Sequence, residues 1–227
     1  MMIGLLRRIR YRSKVVPWWE SQPTFEFAGN VFKLFVSNHN CGWPPARMTE
    51  RAVELPLADR WLETVDATRV IEIGAVTPYY WPRRVPHVVD PFDPHPLVTT
   101  RASLFDVDLS GAPVLSISTL EHVGVNDYGL TVDYALVEKA FRKVFRESLS
   151  FLITAPVGYN ETMDRFLFEN DLLRDGIVVR YLVRSALGND WREETDPARA
   201  RLPYLRGAEL RKSWANCVVV VSRGAFL

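Results

Sequence analysis

Cysteine is nearly absent. Cys41 and Cys217 are the only two in 227 residues, too few for a disulfide framework and without the paired spacing of a zinc site. An excess of charge is missing as well: 28 Lys and Arg stand against 27 Asp and Glu, leaving +1, so no overall field draws the chain to nucleic acid. No apolar run is long enough to span a bilayer, and the run in MMIGLLRRIRYRSK is too short even for a signal peptide. That opening reads as a frayed terminus or as a short basic helix in peripheral contact with an anionic membrane surface. Cytoplasm is the expected compartment. Repeats and low-complexity tracts are also lacking, so the order of elements carries the information.

What remains has the proportions of a globular protein, with 48% apolar and 24% charged residues, and the length suits one α/β domain with a small appendage. Residues 1–66 form an aromatic, turn-rich extension, expected to act as a lid on the domain at 67–227. Within it, MTERAVELPLADRWLETV spaces Val53, Leu57 and Trp61 four apart, a helical stripe opening near a cap at Thr49. Pro56 predicts a break or kink there, with the helix proper beginning near Leu57.

From Arg69 the pattern changes to short β-branched runs bounded by Pro, Gly or Asp: VIEIG (70–74), HVVD (87–90), PVLSIS (113–118) and LSFLITAP (149–156). Runs apolar on both faces predict parallel strands covered by helices. Between the last two, Tyr134, Val137, Phe141 and Phe145 line one face of a crossover helix. An amphipathic DRFLFENDLLRD helix follows. GIVVRYLVRSA and NCVVVVSRG, separated by the polar loop NDWREETDPARARLP, then predict an antiparallel hairpin at the edge of a mostly parallel sheet.

Ligands of open α/β sheets sit beyond the carboxyl ends of the strands, where strand order reverses. Gly74 and Asp90 end the first two runs, and Asp106 in SLFDVD follows an expected third strand. A glycine lets a ligand approach the backbone, and an acid at a strand end can accept ribose hydroxyls, although such an acid also serves as a turn or helix cap. The residues after Gly74 are Ala75, Val76, Thr77, Pro78 and Tyr79, so the glycine-rich dinucleotide fingerprint is missing.

The succession VIEIG, HVVD, FDVD and VLSISTLEHVG resembles class I S-adenosylmethionine (SAM)-dependent methyltransferases over roughly residues 69–222. More narrowly, NHNCGWPPARMTERAVELP, STLEHVG, APVGYN, Trp191 and Trp214 are similar to small bacterial methyltransferase-like proteins associated with surface-glycan enzymes. The resemblance implies a Rossmann-like fold with a seven-stranded sheet and S-adenosyl-L-methionine as cofactor. It places Glu72 and Gly74 near the methionine end, Asp90 at the ribose, Asp106 at the adenine, and Ser118 and Thr119 along the methionine moiety. The implied reaction is O-methylation of a sugar hydroxyl in a glycan or its precursor, with a natural-product acceptor or a non-catalytic SAM-fold protein as alternatives.

Transfer to a hydroxyl needs alignment and removal of a proton. His122 in STLEHVG is the expected base, because histidine is the side chain suited to proton exchange near neutral pH, and Glu121 is a second carboxylate beside it. His122 can instead cap or pack the following loop. Related enzymes that bind a divalent metal carry a further Glu three residues before this pair; Ser118 stands there, so no metal is implied. Asp93 and His95 in DPFDPHP offer donors, within a loop stiffened by proline. Asn38, His39, Asn40, Arg51, Glu54, Tyr159 and Asn160 supply the amide, charged and aromatic mixture of a sugar site, with Asn40, Arg51, Tyr159 and Asn160 the selected acceptor-side residues. Arg51 and Glu54, three apart, can also pair with each other.

Overall fold

The computed structural model describes residues 24–35, 49–129, 131–170, 172, 176–184, 190–207 and 212–224. A hairpin of β1 (Thr24–Phe27) and β2 (Asn30–Lys33) leads to helix α1 (Arg51–Leu62). β3 (Ile71–Ile73), the short α2 (Thr77–Tyr80), β4 (His87–Val89) and β5 (Pro113–Ile117) follow. Helix α3 (Ala135–Glu147) crosses to β6 (Ser150–Pro156), and α4 (Glu161–Glu169) to β7 (Val178–Arg184). β8 (Trp191–Glu194), α5 (Pro197–Ala200), the pair β9 (Leu205–Gly207) and β10 (Lys212–Trp214), and β11 (Cys217–Arg223) complete the order.

Seven strands form one mixed sheet in the order β4-β3-β5-β6-β11-β7-β8. The ladders β3/β4, β3/β5 and β5/β6 are parallel, and those joining β11 to β6, β11 to β7 and β7 to β8 are antiparallel. The expectation of a mostly parallel sheet holds in part: the sheet is mixed, five of its seven strands run in one direction, and antiparallel ladders are as many as parallel ones. β7 and β11 are antiparallel neighbours, yet they do not form the edge: β11 lies between β6 and β7. Its run Val218–Val221 explains this position, since Val218 and Val220 pack on one face and Val219 and Val221 on the other. A strand apolar on both faces needs neighbours and cover. The edge falls to β8, drawn from the stretch read as a polar loop; Trp191 is buried there and Glu193 accepts from the N–H of Ala28 in the hairpin, so the edge is partly covered.

Both faces are covered. Val137, Phe141 and Phe145 of α3 and Met163, Phe166 and Leu167 of α4 pack against Val114, Phe151, Ile153 and Val219. Phe141 is fully buried, which contributes on the order of 2–3 kcal/mol of hydrophobic stabilisation. Tyr134, expected on this stripe, is instead exposed at the position just before the helix and makes no side-chain cap. On the opposite face Val53, Leu57 and Trp61 of α1 and Phe25, Phe27 and Phe32 of the hairpin meet Leu115, Ile117, Leu152 and Val220.

Helix α1 runs through Pro56 instead of breaking. Proline removes the N–H that would bond to the carbonyl of Ala52, and the N–H of Phe35 takes that carbonyl at 2.8 Å. The helix defect thus fastens the end of the hairpin to α1. Where the sequence predicts a third parallel strand, the described residues hold only an isolated bridge between Val89 and Thr100. Leu104–Asp106 is a 3-10 turn capped by Ser103. Among the described residues no helix is long and apolar enough to cross a membrane.

Candidate functional site

β3 pairs with β4 on one side and β5 on the other, so strand order reverses at its carboxyl end. The residues that follow these three strands converge there. Gly74 has φ of +88°, and a Cβ on it would lie 2.0 Å from Oγ1 of Thr119. Only glycine permits both the left-handed backbone and that approach.

Two acids hold the turn after Gly74. Glu72 is fully buried, with Oε1 accepting the N–H groups of Val76 at 3.0 Å and Thr77 at 2.7 Å and Oε2 accepting the hydroxyl of Thr77. Asp90 reaches across from β4: Oδ2 accepts the N–H of Ala75 at 3.1 Å, and Oδ1 accepts those of Phe92 and Asp93 at 2.8 Å each. A carboxylate oxygen has room for two donors, so Oδ2 of Asp90, which accepts from Ala75, has capacity for one more. Asp106 is exposed in its 3-10 turn and stands apart from this hydrogen-bond set.

Burial pushes the Glu72 carboxyl up to about 7, against the pull of Thr77 and Val76. The folded protein therefore retains a proton that the unfolded chain, with an ordinary value of 4.5, has released. The resulting stabilisation is complete below about pH 4.5 and is lost as pH rises to about 7, an effect of at most about 3 kcal/mol. Urea unfolding at pH 5 and pH 8 should show this loss in the parent protein. It should be smaller in Glu72→Gln, whose amide does not ionise.

Ser118, at the end of β5, has φ of +38°, a conformation that costs a non-glycine residue about 1–3 kcal/mol. Its hydroxyl donates to Oε1 of Glu54 at 2.5 Å, while Oε2 of Glu54 is ion-paired to Arg51. Burial works against the Arg51 charge, but Glu54 and Glu50 hold it above its ordinary range. Burial raises Glu54, with Arg51 and Ser118 opposing. Arg51 is thus committed to a pair within α1. Thr119 donates from Oγ1 to the carbonyl of Ile117 at 3.1 Å.

Glu121 and His122 follow in a 3-10 turn. Glu121 is 1% exposed, and its Oε2 is buried with no hydrogen-bond partner. Burial lifts it well above the ordinary carboxylate range, and the negative charges of Glu54 and Glu50 add to this. Its Oε1 lies 3.6 Å from Nε2 of His122. The other ring nitrogen, Nδ1, is 2.6 Å from Oδ2 of Asp127, which also accepts the hydroxyl of Tyr159 at 2.6 Å. Tyr159 stands edge-on to His122, with ring centroids 4.8 Å apart, and edge-on to Tyr204 at 5.1 Å. Asn160 is buried and committed: Oδ1 caps α4 by accepting from Thr162 and Met163, and Nδ2 donates to the carbonyl of Glu121 at 2.9 Å.

The structure therefore gathers Gly74, Asp90, Thr119, Ser118, Glu121, His122 and Tyr159 around the ends of β3, β4 and β5. Asp106 stays outside, Asn160 works as a helix cap, and Asn38, His39 and Asn40 lie outside the described residues. Sequence reasoning misses Asp127; the available signal is an acid in the loop VNDYG, five residues beyond the candidate base. Asp93 and His95 serve their loop and its contact with α2: Asp93 accepts from the hydroxyl of Tyr79 and from the N–H of His95, and Nδ1 of His95 accepts from the N–H of Leu97. Among the described residues no group of three or more His, Cys, Asp or Glu is placed to hold a metal ion. No family model, curated protein or solved structure matches the chain, so the geometry of these residues carries the functional reading.

Proposed function

We infer that the region at the carboxyl ends of β3, β4 and β5 binds S-adenosyl-L-methionine and that the protein transfers a methyl group to an oxygen of a sugar or glycan precursor. One observation carries this reading. The N–H groups of Ala75, Val76 and Thr77, which in a phosphate-binding turn would point at the ligand, are all taken by Asp90 and Glu72. A pyrophosphate finds none of these amides free and meets the partly exposed carboxylate of Asp90 instead. A phosphate-free nucleoside bearing a cation suffers neither problem.

The sheet order is compatible with a Rossmann-like methyltransferase. Five of the seven strands share one direction, with β11 inserted antiparallel between β6 and β7 and β8 reversed at the edge. Asp90 would hold the ribose, through the acceptor position left on Oδ2, and Ser118 and Thr119 would border the methionine end. When bound, the cofactor supplies an electrophilic methyl group on a sulfonium that leaves as a neutral thioether. His122 would take the acceptor's hydroxyl proton, and Tyr159 would form the wall beside it.

A second reading, a SAM-fold protein that binds without turnover, is favoured by Gly74 standing as the single glycine of this turn, followed by Ala75, Val76, Thr77 and Pro78. Incubation with methyl-labelled SAM and a panel of neutral and acidic saccharides separates the two. The transferase reading expects label in a methyl ether. Bound cofactor with no transfer to any acceptor would favour the second reading, and no bound cofactor would defeat both.

A further inference from the structure

Asp127 receives two donors on a single oxygen: Nδ1 of His122 and the hydroxyl of Tyr159, each at 2.6 Å. When the ring is neutral and Nδ1 donates to this oxygen, the proton is on Nδ1 and Nε2 is the basic nitrogen. Tyr159 adds a second restraint. Its hydroxyl donates to the same carboxylate oxygen, and its ring stands against the imidazole with centroids 4.8 Å apart. Burial and Asp127 hold the Tyr159 phenol above its ordinary range, so it stays a donor.

The geometry points to Asp127 as a positioning residue that sets the Nδ1–H tautomer of His122 and so makes Nε2, which lies 3.6 Å from Oε1 of Glu121, the nitrogen able to take a proton, with Tyr159 bracing the carboxylate. This deepens the methyltransferase reading and rests on it for its catalytic consequence, although the tautomer itself does not. The arrangement has the logic of an acid-oriented histidine base. Its backbone supports are also in place, since the N–H of His122 donates to the carbonyl of Thr119 and Asn160 fastens the carbonyl of Glu121.

Long-range proton–nitrogen correlation spectra of the full chain, with the His122 signals assigned through His122→Gln, read the tautomer directly. The parent protein should show Nδ1 protonated. Asp127→Ala should move the ring toward the Nε2–H form that neutral imidazole prefers in water, and Asp127→Asn, whose carbonyl can still accept, should retain part of the Nδ1–H form. In turnover, Asp127→Ala should lower kcat by about 10–100-fold, with S-adenosylhomocysteine affinity and acceptor KM within about twofold, and Asp127→Asn should recover part of the loss. An Nε2–H ring in the parent protein, or a tautomer indifferent to Asp127→Ala, would overturn the assignment. A tautomer shift in a protein that binds no S-adenosylhomocysteine would leave the assignment standing and remove the methyltransferase reading instead.

Discussion

Replacing His122 with Ala should lower methyl transfer by roughly 10²–10⁴-fold, the usual contribution of a positioned base, while leaving S-adenosylhomocysteine affinity within about twofold. The division follows from position. His122 faces Asp127 and Tyr159 with its side chain 30% exposed, whereas the groups assigned to the cofactor, Gly74 and Asp90, belong to the turns after β3 and β4. Folding should be little affected, because the imidazole and its partner Asp127 are partly exposed and neither belongs to the core. Calorimetry together with steady-state kinetics reads both halves. Normal turnover in the variant would make His122 a packing residue. Loss of cofactor binding would make it part of the cofactor pocket.

Gly74→Ala should destabilise the fold by about 2–6 kcal/mol, combining the strain of a left-handed backbone with the cost of overpacking. A Cβ there meets Oγ1, Cγ2 and even Cβ of Thr119 at 2.0, 2.6 and 2.8 Å, so rotating the threonine side chain cannot relieve the clash. Adding Thr119→Gly should recover the steric part and leave the backbone part. A double variant no more stable than Gly74→Ala would place the whole penalty in the backbone. Urea unfolding of the parent, the two single variants and the double variant measures the coupling.

The central strands are legible because their composition is local information. VIEIG, HVVD, PVLSIS and LSFLITAP are β-branched, short and punctuated, and the α3 stripe at Val137, Phe141 and Phe145 repeats at helical spacing. Pairing partners are not local. Nothing within NCVVVVSRG states that β11 inserts beside β6, and WREE carries too many charges to announce the edge strand β8. Pro56 predicts a break through its intrinsic effect on a helix, but the donor that rescues the freed carbonyl, Phe35, lies outside that helix.

The site divides in the same way. Its location follows from a rule about strand ends, and the Arg51–Glu54 pairing from their three-residue spacing. The acceptors chosen by each amide and hydroxyl do not follow. Asp90 spends most of its capacity on the backbone of Ala75, Phe92 and Asp93, and Asn160 is consumed as a cap. Asp127 becomes visible only when the loop after His122 folds back against Tyr159. A polar residue in a sequence declares what it can bond to, and the fold decides what it does bond to.

Isothermal titration of the parent protein and of Asp90→Ala with S-adenosylhomocysteine, with NAD as a parallel titrant, tests the central claim most directly. The account predicts saturable binding to the parent protein, a loss of about 1.5–3 kcal/mol in Asp90→Ala for one charge-assisted hydrogen bond, and no binding of NAD. Binding of NAD, or a parent protein that takes up no S-adenosylhomocysteine at millimolar concentration, would contradict it.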